Sequence, residues 1–532
     1  MDTNLAVQAY VPEIHPTGII PYLLLLLGGI ACLVVDAASG KEGSRRYLPW
    51  IAGGTLLAAM ACFFLRLVPG EPFLENTFRA DAFGQLASLA ILSATFVMTT
   101  MGPSLVRRRN LPSGEFYTLI LFASLGMVLL SVSNELLTAF IALEMFALSL
   151  YVLVGIDRRS SKSAEACFKY FILGAFASAF LVFGIAFLYG ATHTTFLTEM
   201  AEAFRTGYVE SIGPGGEVAQ VPINAMYVYA GFALMFVGIC FKLSLAPFHM
   251  WAPDVYEGGN IPAVMVVATA SKVATFAFLI HLVEALSYWE GFAGGAVYII
   301  TGVAVVSMLW GNIAALAQTH FRRMMALSSV AHSGYMTVGV LVLVALPGMM
   351  SGSELEAGQL LVRQAVILYM AGYTVMNVLA FGVAHYVGGG GHMAAYRGLV
   401  YRRPLPAIGM AIAMFSLVGI GFTPPTIGFM GKFYIFKEAV QVGFIGLAVV
   451  AVLASVISAF YYLSLVVTMF MREEERVAHV PLAGTPEAPV QVGGEVLTRM
   501  VLVTASILIF VFGIFPQLFI GLGETLVNGT VR

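Results

Sequence analysis

Charged residues are scarce in this sequence, and their scarcity excludes a water-soluble fold. Only 11% of the 532 residues are charged and 59% are hydrophobic, whereas roughly a quarter of the residues in soluble domains are charged. The 27 basic and 29 acidic residues nearly balance, so nucleic acid and polyanionic partners are not indicated. Cysteines without CxxC spacing are interpreted as small core residues rather than disulfides or metal ligands; they are Cys32, Cys62, Cys167 and Cys240.

Long apolar runs dominate the sequence instead. A helix that crosses a bilayer needs about 20 apolar residues, and about fourteen such stretches follow one another along the chain. The first of them, residues 18–35, has no basic start, so we interpret it as a retained helix rather than a cleaved signal. We predict one all-α polytopic membrane domain over residues 1–532, with spans centred near residues 27, 57, 91, 124, 146, 178, 233, 273, 303, 335, 375, 415, 456 and 511.

Basic residues cluster in alternate connections between these spans. Cytoplasmic loops carry an excess of Lys and Arg, and here the odd-numbered connections hold the clusters. This alternation supports the count of spans and predicts that both termini lie on the non-cytoplasmic side. A Pro- and Gly-rich connection over residues 477–497 is predicted to be a cytoplasmic loop. The clusters include Lys41, Arg45 and Arg46; Arg107 to Arg109; Arg158, Arg159 and Lys162; Arg322 and Arg323; and Arg397, Arg402 and Arg403.

Prolines interrupt the seventh and the twelfth predicted helices. Residues 242–249 read KLSLAPFH and residues 423–428 read TPPTIG, and proline removes a backbone donor and clashes with the preceding turn. Each break falls in the fourth helix of a block of five, helices 4–8 (residues 115–290) and helices 9–13 (residues 293–471). The odd number of spans per block turns the second block upside down, which predicts two inverted repeats of the transporter kind. The alternative is that these prolines only kink two helices for packing.

A row of ionisable side chains lies inside the predicted spans. A charge at the centre of a membrane helix costs roughly 2.5 to 3.5 kcal/mol, so each one needs a partner or a task. Glu144 and Lys272 lie within long apolar runs, Lys242 precedes the first break, and Lys432 follows the second. The matched positions of Lys242 and Lys432 favour a shared role in the two blocks.

Lys169 and three histidines are weaker candidates. Glu165 lies four residues before Lys169, and pairing between them near the membrane face explains this lysine as well as a functional role does. His249 shares the broken segment with Lys242 and belongs to the residue type that titrates near neutrality. The histidines at positions 332 and 385 also lie within spans, where a single histidine commonly serves only as a hydrogen-bonding residue.

The chemistry that suits such a row is proton transfer. Burial favours the neutral amine of a lysine, while a nearby carboxylate favours the ammonium form, so a buried lysine can take up or release a proton as a carboxylate approaches or recedes. Glu144 is the expected partner, with Lys169 or Lys242 responding to it. Lysines offer metal cations few oxygen ligands, so we predict that the row conducts protons.

Several long segments resemble the antiporter-like subunits of respiratory complex I. Residues 241–258 read FKLSLAPFHMWAPDVYEG, residues 268–274 read ATASKVA, and residues 326–335 read ALSSVAHSGY. Residues 165–181, EACFKYFILGAFASAFL, and residues 428–436, GFMGKFYIF, resemble more narrowly the subunit N group of bacterial NADH–quinone oxidoreductases. The resemblance covers nearly the whole chain, and motifs of this length are highly specific.

The resemblance implies a role for each residue of the row. The family's helix-5 glutamate corresponds to Glu144, and its lysines of helices 6, 7 and 8 correspond to Lys169, Lys242 and Lys272. The lysine of the second broken helix corresponds to Lys432, where the sister subunit M typically has glutamate. Subunit L continues into a long lateral helix that this sequence does not contain.

The resemblance also implies a division of labour within a bacterial inner membrane complex. NADH, FMN, the iron–sulfur clusters and quinone would be bound by partner subunits, and this chain, with no cofactor of its own, would supply a proton channel coupled to them. Its partners would be the antiporter-like subunit M, small membrane subunits and the lipid bilayer. Two other functions stay open at this point: a subunit of an Mrp-type cation/proton antiporter, and a scaffold that holds neighbouring subunits and moves no ion.

Overall fold

The computed structural model describes residues 16–65, 67–70, 72–212, 218–388, 391–419, 421, 424–471 and 492–528. Helices make up nearly all of this part of the chain, which confirms the predicted all-α class. They are α1 (Pro16–Phe64), α2 (Ala82–Arg109), α3 (Ser113–Ser131), α4 (Leu136–Val154), α5 (Ser161–Thr192), α6 (Leu197–Thr206), α7 (Ala225–Leu243), α8 (Ala252–Gly258), α9 (Ile261–Ala268), α10 (Ala270–Ser287), α11 (Phe292–Leu316), α12 (Phe321–Ala345), α13 (Gly352–Val387), α14 (Leu399–Arg402), α15 (Pro404–Val418), α16 (Ile427–Gln441), α17 (Ile445–Phe470), α18 (Val492–Ile514) and α19 (Pro516–Asn528).

Two short antiparallel hairpins and two 3₁₀ turns complete the described elements. The hairpins pair β1 (Pro72–Phe73) with β2 (Phe78–Arg79), and β3 (Tyr208–Ile212) with β4 (Val218–Pro222). The 3₁₀ turns are Leu346–Gly348 and Met393–Tyr396. All four lie in connections between long helices, so they leave the helical core undisturbed.

The predicted spans coincide with the observed helices. Among the described residues, 12 helices are long and apolar enough to cross a membrane, and every predicted span centre lies within one of the helices above. The longest helix, α1, contains the first two predicted spans, which meet at Gly40 with φ 62° and ψ −179°, a conformation that glycine adopts without strain. The predicted twelfth span begins as the shorter α15. Residues 477–491 of the predicted loop lie outside the described part, and residues 492–497 begin α18.

Both predicted breaks are present. The seventh predicted helix divides into α7 and α8, and the twelfth divides into α15 and α16; Thr423 of the second break lies outside the described residues. Protein groups satisfy the backbone that the first break frees. The Ala246 N–H donates to Ser307 Oγ over 2.9 Å, and Trp251 Nε1 donates to the Phe241 carbonyl over 3.0 Å. Protein groups therefore satisfy this freed backbone, as non-helical backbone at membrane depth requires.

The eighth predicted helix is also interrupted, which the sequence did not predict. α9 and α10 meet at Thr269, whose φ of −117° and ψ of −82° are not helical. Neither Pro nor Gly stands there, so the usual signal of a helix break is missing. Lys272 lies in the first turn of α10 and is therefore next to a break, as Lys242 is.

Each broken helix packs in a corresponding way within its predicted block. In the first block, α5 packs against both halves of the broken helix, α7 and α8. In the second block, α13 packs against both halves, α15 and α16. This correspondence agrees with two five-helix repeats, and it explains how the breaks stay stable: one continuous helix supports both halves of its interrupted neighbour.

Candidate functional site

Lys242 is the penultimate residue of α7 and is buried beside a tyrosine. Its side chain is 5% exposed, and its Nζ donates to the Tyr151 hydroxyl over 2.9 Å. The same Nζ lies 5.1 Å from the centroid of the Tyr151 ring, within the range of a cation–π interaction. Tyr151 fits because Gly174 of α5 has no side chain: a Cβ there would stand 1.9 Å from the tyrosine hydroxyl oxygen. The sequence prediction had not included Tyr151 or Gly174.

Glu144 lies on α4 at the edge of the protein. The Ser178 hydroxyl of α5 donates to its Oε1, and the carboxylate interacts electrostatically with Lys242. The predicted pair is thus close together, while each member bonds a different hydroxyl group. Glu144 is half-buried, and its neighbours on the same helix face, Ile141 and Leu148, are 66% and 51% exposed. The carboxylate is therefore reachable from outside the chain at membrane depth.

Lys272, beside the interruption at Thr269, is connected to the break that follows α7. It is 1% exposed, and its Nζ donates to the Ser329 carbonyl over 2.9 Å and to Ser333 Oγ over 2.7 Å. Ser333 Oγ in turn lies 2.7 Å from the carbonyl of Leu243, the last residue of α7. One serine therefore joins the Lys272 ammonium to the broken helix that carries Lys242.

Lys432 binds the carbonyl end of α15. Its side chain is 3% exposed, and its Nζ donates to the carbonyls of Val418 and Leu417 over 2.8 and 3.3 Å and to Ser455 Oγ over 3.2 Å. Carbonyls at the end of a helix favour a cation. Gly419 follows them with φ +67°, and a Cβ there would stand 2.8 Å from the Lys432 side chain. The second break thus forms a site for an ammonium group.

His332 lies between the two buried lysines of α10 and α16. It is 1% exposed, with Nδ1 2.8 Å from the Tyr369 hydroxyl and Nε2 3.2 Å from the Tyr462 hydroxyl. It interacts electrostatically with both Lys432 and Lys272. This histidine, a weak candidate from the sequence, therefore interacts with a lysine of each block.

Lys169 and His249 lie apart from this buried series. The Lys169 ammonium is 2.7 Å from Glu165 and 2.6 Å from Asp254, with its side chain 39% exposed. Pairing with Glu165 is thereby confirmed, and Asp254 is a second partner. His249 is half-buried beside Trp310, and its Nδ1 has no hydrogen-bond partner among the described residues. A third histidine, His385 of α13, bonds Ser104 Oγ over 2.7 Å.

Two carboxylates of α8 form an ion-pair cluster with α5 and α12. Asp254 and Glu257 both bind Arg323, at 2.8 and 3.0 Å, and Glu257 also binds Lys162 at 2.8 Å. Together with the bond from Asp254 to Lys169, these contacts attach the second half of the broken helix to both blocks. The sequence reasoning missed this cluster because its members come from three distant segments.

Acid is expected to weaken this cluster through Glu257. The hydrogen bond from Lys162, reinforced by Arg323, lowers the pKa of Glu257 to about 2, against about 4.3 in an unfolded chain. A lowered folded-state pKa stabilises the fold above the unfolded value and loses that contribution as pH falls toward the folded value. The thermal unfolding midpoint should therefore fall as the pH is lowered from about 5 to about 3, and Glu257→Gln should reduce this dependence. Changing the exposed Glu356 to Gln is the control; equal acid sensitivity in both variants would contradict the assignment.

Within the described part of the chain, no group of three or more His, Cys, Asp or Glu side chains is placed to hold a metal ion. The site instead consists of an ammonium, hydroxyl, imidazole and carboxylate series, whose members are all able to hold a proton or to pass one on.

Comparisons with known proteins find similar sequences over most of the chain. The family model described as NADH:quinone oxidoreductase/Mrp antiporter, transmembrane, matches residues 133–458, which include both breaks and every lysine of the site. The chain is 34% identical to NADH-quinone oxidoreductase subunit N of Myxococcus xanthus, with 96% of each chain covered. It is 37% identical to subunit N 1 of Thermodesulfovibrio yellowstonii, with 88% of this chain and 91% of that one covered.

Solved structures show the same fold. A chain of respiratory complex I from Thermus thermophilus with bound Aureothin superposes with a TM-score of 0.74 at 30% identity, covering 95% of this chain and 99% of that one. A chain of the Mrp complex from Dietzia sp. superposes with a TM-score of 0.73 at 18% identity, covering 97% and 98%. The second similarity concerns the fold alone.

Proposed function

Because this chain belongs to the antiporter-like membrane subunits of the NADH:quinone oxidoreductase/Mrp antiporter family, and within it to subunit N of NADH–quinone oxidoreductase, we propose that it translocates protons. NADH–quinone oxidoreductase transfers electrons from NADH to quinone and exports protons. NADH, FMN, the iron–sulfur clusters and quinone are assigned to partner subunits, and this chain contributes the buried side chains that carry protons.

The observation that supports this proposal most strongly is the row of buried proton-holding groups across both blocks. Lys272 is bonded through Ser333 to the Leu243 carbonyl, one residue after Lys242, and His332 interacts electrostatically with the lysines at positions 272 and 432. A charge at this depth is costly, so a protein that only needed packing would have apolar side chains here. The row includes Glu144 of α4 in the first block and Lys432 of α16 in the second.

Proton movement along the row follows from the bonds of each group. When the Glu144 carboxylate is ionised, it favours the ammonium form of Lys242. When the carboxylate is neutralised, Lys242 loses that support and can release its proton. Onward transfer to Lys272 requires water between the two lysines, because the Ser333 hydroxyl meets α7 at the Leu243 carbonyl, which accepts a hydrogen bond but cannot pass on a proton.

Both ends of the row are open to the side, which supports a place between other membrane subunits. Glu144 is reachable between exposed apolar residues of α4. At the other end, a cavity of about 840 Å³ between α16 and α17 is lined by Lys432, Ser455, Phe433 and Val449. We assign these two faces to neighbouring membrane subunits, the antiporter-like subunit M and small subunits, because an uncovered Glu144 carboxylate would face lipid.

The orientation in the membrane is also part of the proposal. The basic ends of α2 and α12, Arg107 to Arg109 and Arg322 with Arg323, are placed on the cytoplasmic side by the excess of positive charge in cytoplasmic loops. Both termini of the chain then lie on the opposite side of the bacterial inner membrane.

The alternative functions are tested in vesicles. Assembled complex should acidify or alkalise the vesicle lumen when NADH is supplied, in proportion to electron transfer. The purified chain alone should show no exchange of Na⁺ or K⁺ for protons, because its two open ends lack their partners. Cation/proton exchange by the isolated chain would support the Mrp-type antiporter instead, and undiminished pumping after removal of the buried charges would support the scaffold.

A further inference from the structure

Asn312 of α11 connects two hydrogen-bonded halves of the buried polar core. Its side chain is 0% exposed and bonds a tyrosine on each side. The Tyr461 hydroxyl donates to Asn312 Oδ1 over 2.9 Å, and Asn312 Nδ2 donates to the Tyr335 hydroxyl over 2.9 Å. The amide is therefore a junction between α17 on one side and α12 on the other.

The orientation of this amide follows from its third bond. Asn312 Nδ2 lies 2.8 Å from the backbone carbonyl of Met308. A carbonyl only accepts hydrogen bonds, so the amide atom that faces Met308 must be the nitrogen. Tyr461 must then point its proton at the amide oxygen, and Tyr335 must receive a proton from the amide nitrogen.

Each half ends on a group that holds a proton. On one side, the hydroxyls of Tyr461 and Tyr462 interact with each other, and Tyr462 lies 3.2 Å from His332 Nε2. The other side begins at Tyr335, whose hydroxyl is within hydrogen-bonding reach of Ser455. Ser455 Oγ accepts from Lys432 Nζ over 3.2 Å. Asn312 is therefore the amide that bridges the two halves of a series of side chains between His332 and Lys432.

The Asn312 amide differs from every other side chain of this hydrogen-bonded series in how it accepts and releases protons. A hydroxyl, imidazole, ammonium or carboxyl group can take a proton on one side and release another on the opposite side. An amide has acceptor sites only on oxygen and donor hydrogens only on nitrogen. To pass a proton from Tyr461 to Tyr335, Asn312 would gain hydrogen at Oδ1 and lose it at Nδ2, leaving an unstable imidic acid.

We propose that Asn312 is a positioning residue that separates the His332 half of the row from the Lys432 half and holds the two tyrosines in fixed orientations. This inference rests on the proposed function. A row that was permanently connected would let protons run back down the gradient that the complex builds. With Asn312 in place, the two halves hold their protons independently, and transfer between them requires another route than the tyrosine hydroxyls.

The test compares substitutions that can relay a proton with one that cannot. Asn312→Asp and Asn312→Ser place a carboxyl or hydroxyl group at the junction, and Asn312→Leu places neither. In vesicles containing the assembled complex, the Asp and Ser variants should raise the passive proton conductance about tenfold or more, which corresponds to ~1.4 kcal/mol of barrier. They should also export fewer protons per NADH oxidised at unchanged electron transfer. The Leu variant should show the wild-type conductance.

Asn377→Asp is the matched control. Asn377 is 1% exposed on α13, and its Nδ2 donates to the Tyr373 carbonyl over 2.8 Å, so its replacement adds a buried carboxyl group away from the junction. The proposal is overturned if both relay variants conduct no more than this control, or if Asn312→Leu conducts as much as Asn312→Asp. Asn312→Ser adds no charge and decides the matter if the Asp variant does not assemble. If the proposed proton translocation itself were wrong, Lys242→Ala would pump normally. That result differs from the outcomes that would overturn the role of Asn312.

Discussion

Replacing Lys242 or Glu144 by alanine is expected to reduce NADH-driven proton pumping to below about a tenth of the wild-type rate, since a positioned proton donor or acceptor contributes about a hundredfold or more. Lys242 has only the Tyr151 hydroxyl as a hydrogen-bond partner in the described part of the chain, and no neighbouring side chain can replace its ammonium. Pumping is measured in vesicles as protons moved per NADH oxidised, with the assembled complex quantified separately.

Two comparison variants separate loss of charge from loss of structure. Glu144→Gln keeps an oxygen that can accept from Ser178 but cannot ionise, so it should assemble normally and pump as poorly as the alanine variant. Lys169→Ala should cause a milder loss, because this lysine lies at the protein edge in an ion-pair cluster. Full pumping after both Lys242→Ala and Glu144→Ala would end the conduction hypothesis.

The second large effect is expected at Lys432. Lys432→Met leaves the carbonyls of Val418 and Leu417 without their charged donor, which should destabilise the fold by about 1–3 kcal/mol and abolish most of the pumping. Lys432→Gln can still donate to a carbonyl, so it should retain most of the stability while pumping remains below about a tenth of wild type. Thermal unfolding and proton pumping of the assembled complex measure the two effects separately.

Lys437 provides the control on the same helix. Its side chain is 43% exposed and its Nζ lies 3.2 Å from Glu438, so Lys437→Gln removes a lysine from α16 without touching the end of α15. It should pump at the wild-type rate. If Lys432→Gln pumps as well as Lys437→Gln, Lys432 is a structural cap of α15 and not part of the proton path.

The sequence predicted the spans and two breaks because their signals are local. Apolar runs of membrane length identify helices one at a time, and the prolines of residues 242–249 and 423–428 interrupt them by their own chemistry. The third break, at Thr269, carries no such signal and depends on the packing around it. The residues on the predicted row were found for a similar local reason: each is an isolated charge within an apolar run.

The connections between those residues could not be predicted. In the sequence, Tyr151, Tyr335 and the other buried tyrosines resemble ordinary packing residues of a membrane helix. Only the structure shows that their hydroxyl groups are hydrogen-bonded to the polar side chains of the row. Asp254 accepts a hydrogen bond from Lys169, although the two residues are 85 positions apart in the sequence. From the sequence alone, only Glu165, four residues from Lys169, was identified as a partner. Pairing of distant segments decides these contacts, and one sequence does not contain that information.

The interruption at Thr269 makes the two blocks unequal in stiffness. In the first block two of the five predicted helices are interrupted, whereas in the second only the twelfth is, and α17 runs without a break over Ile445–Phe470. A helix bends most easily where its ladder of hydrogen bonds is incomplete. Lys272 therefore lies one turn from a hinge, while Ser455, which binds Lys432, lies on a continuous rod. The two lysines of the first block therefore each lie beside an interruption, so bending at either interruption would change the distance between their side chains.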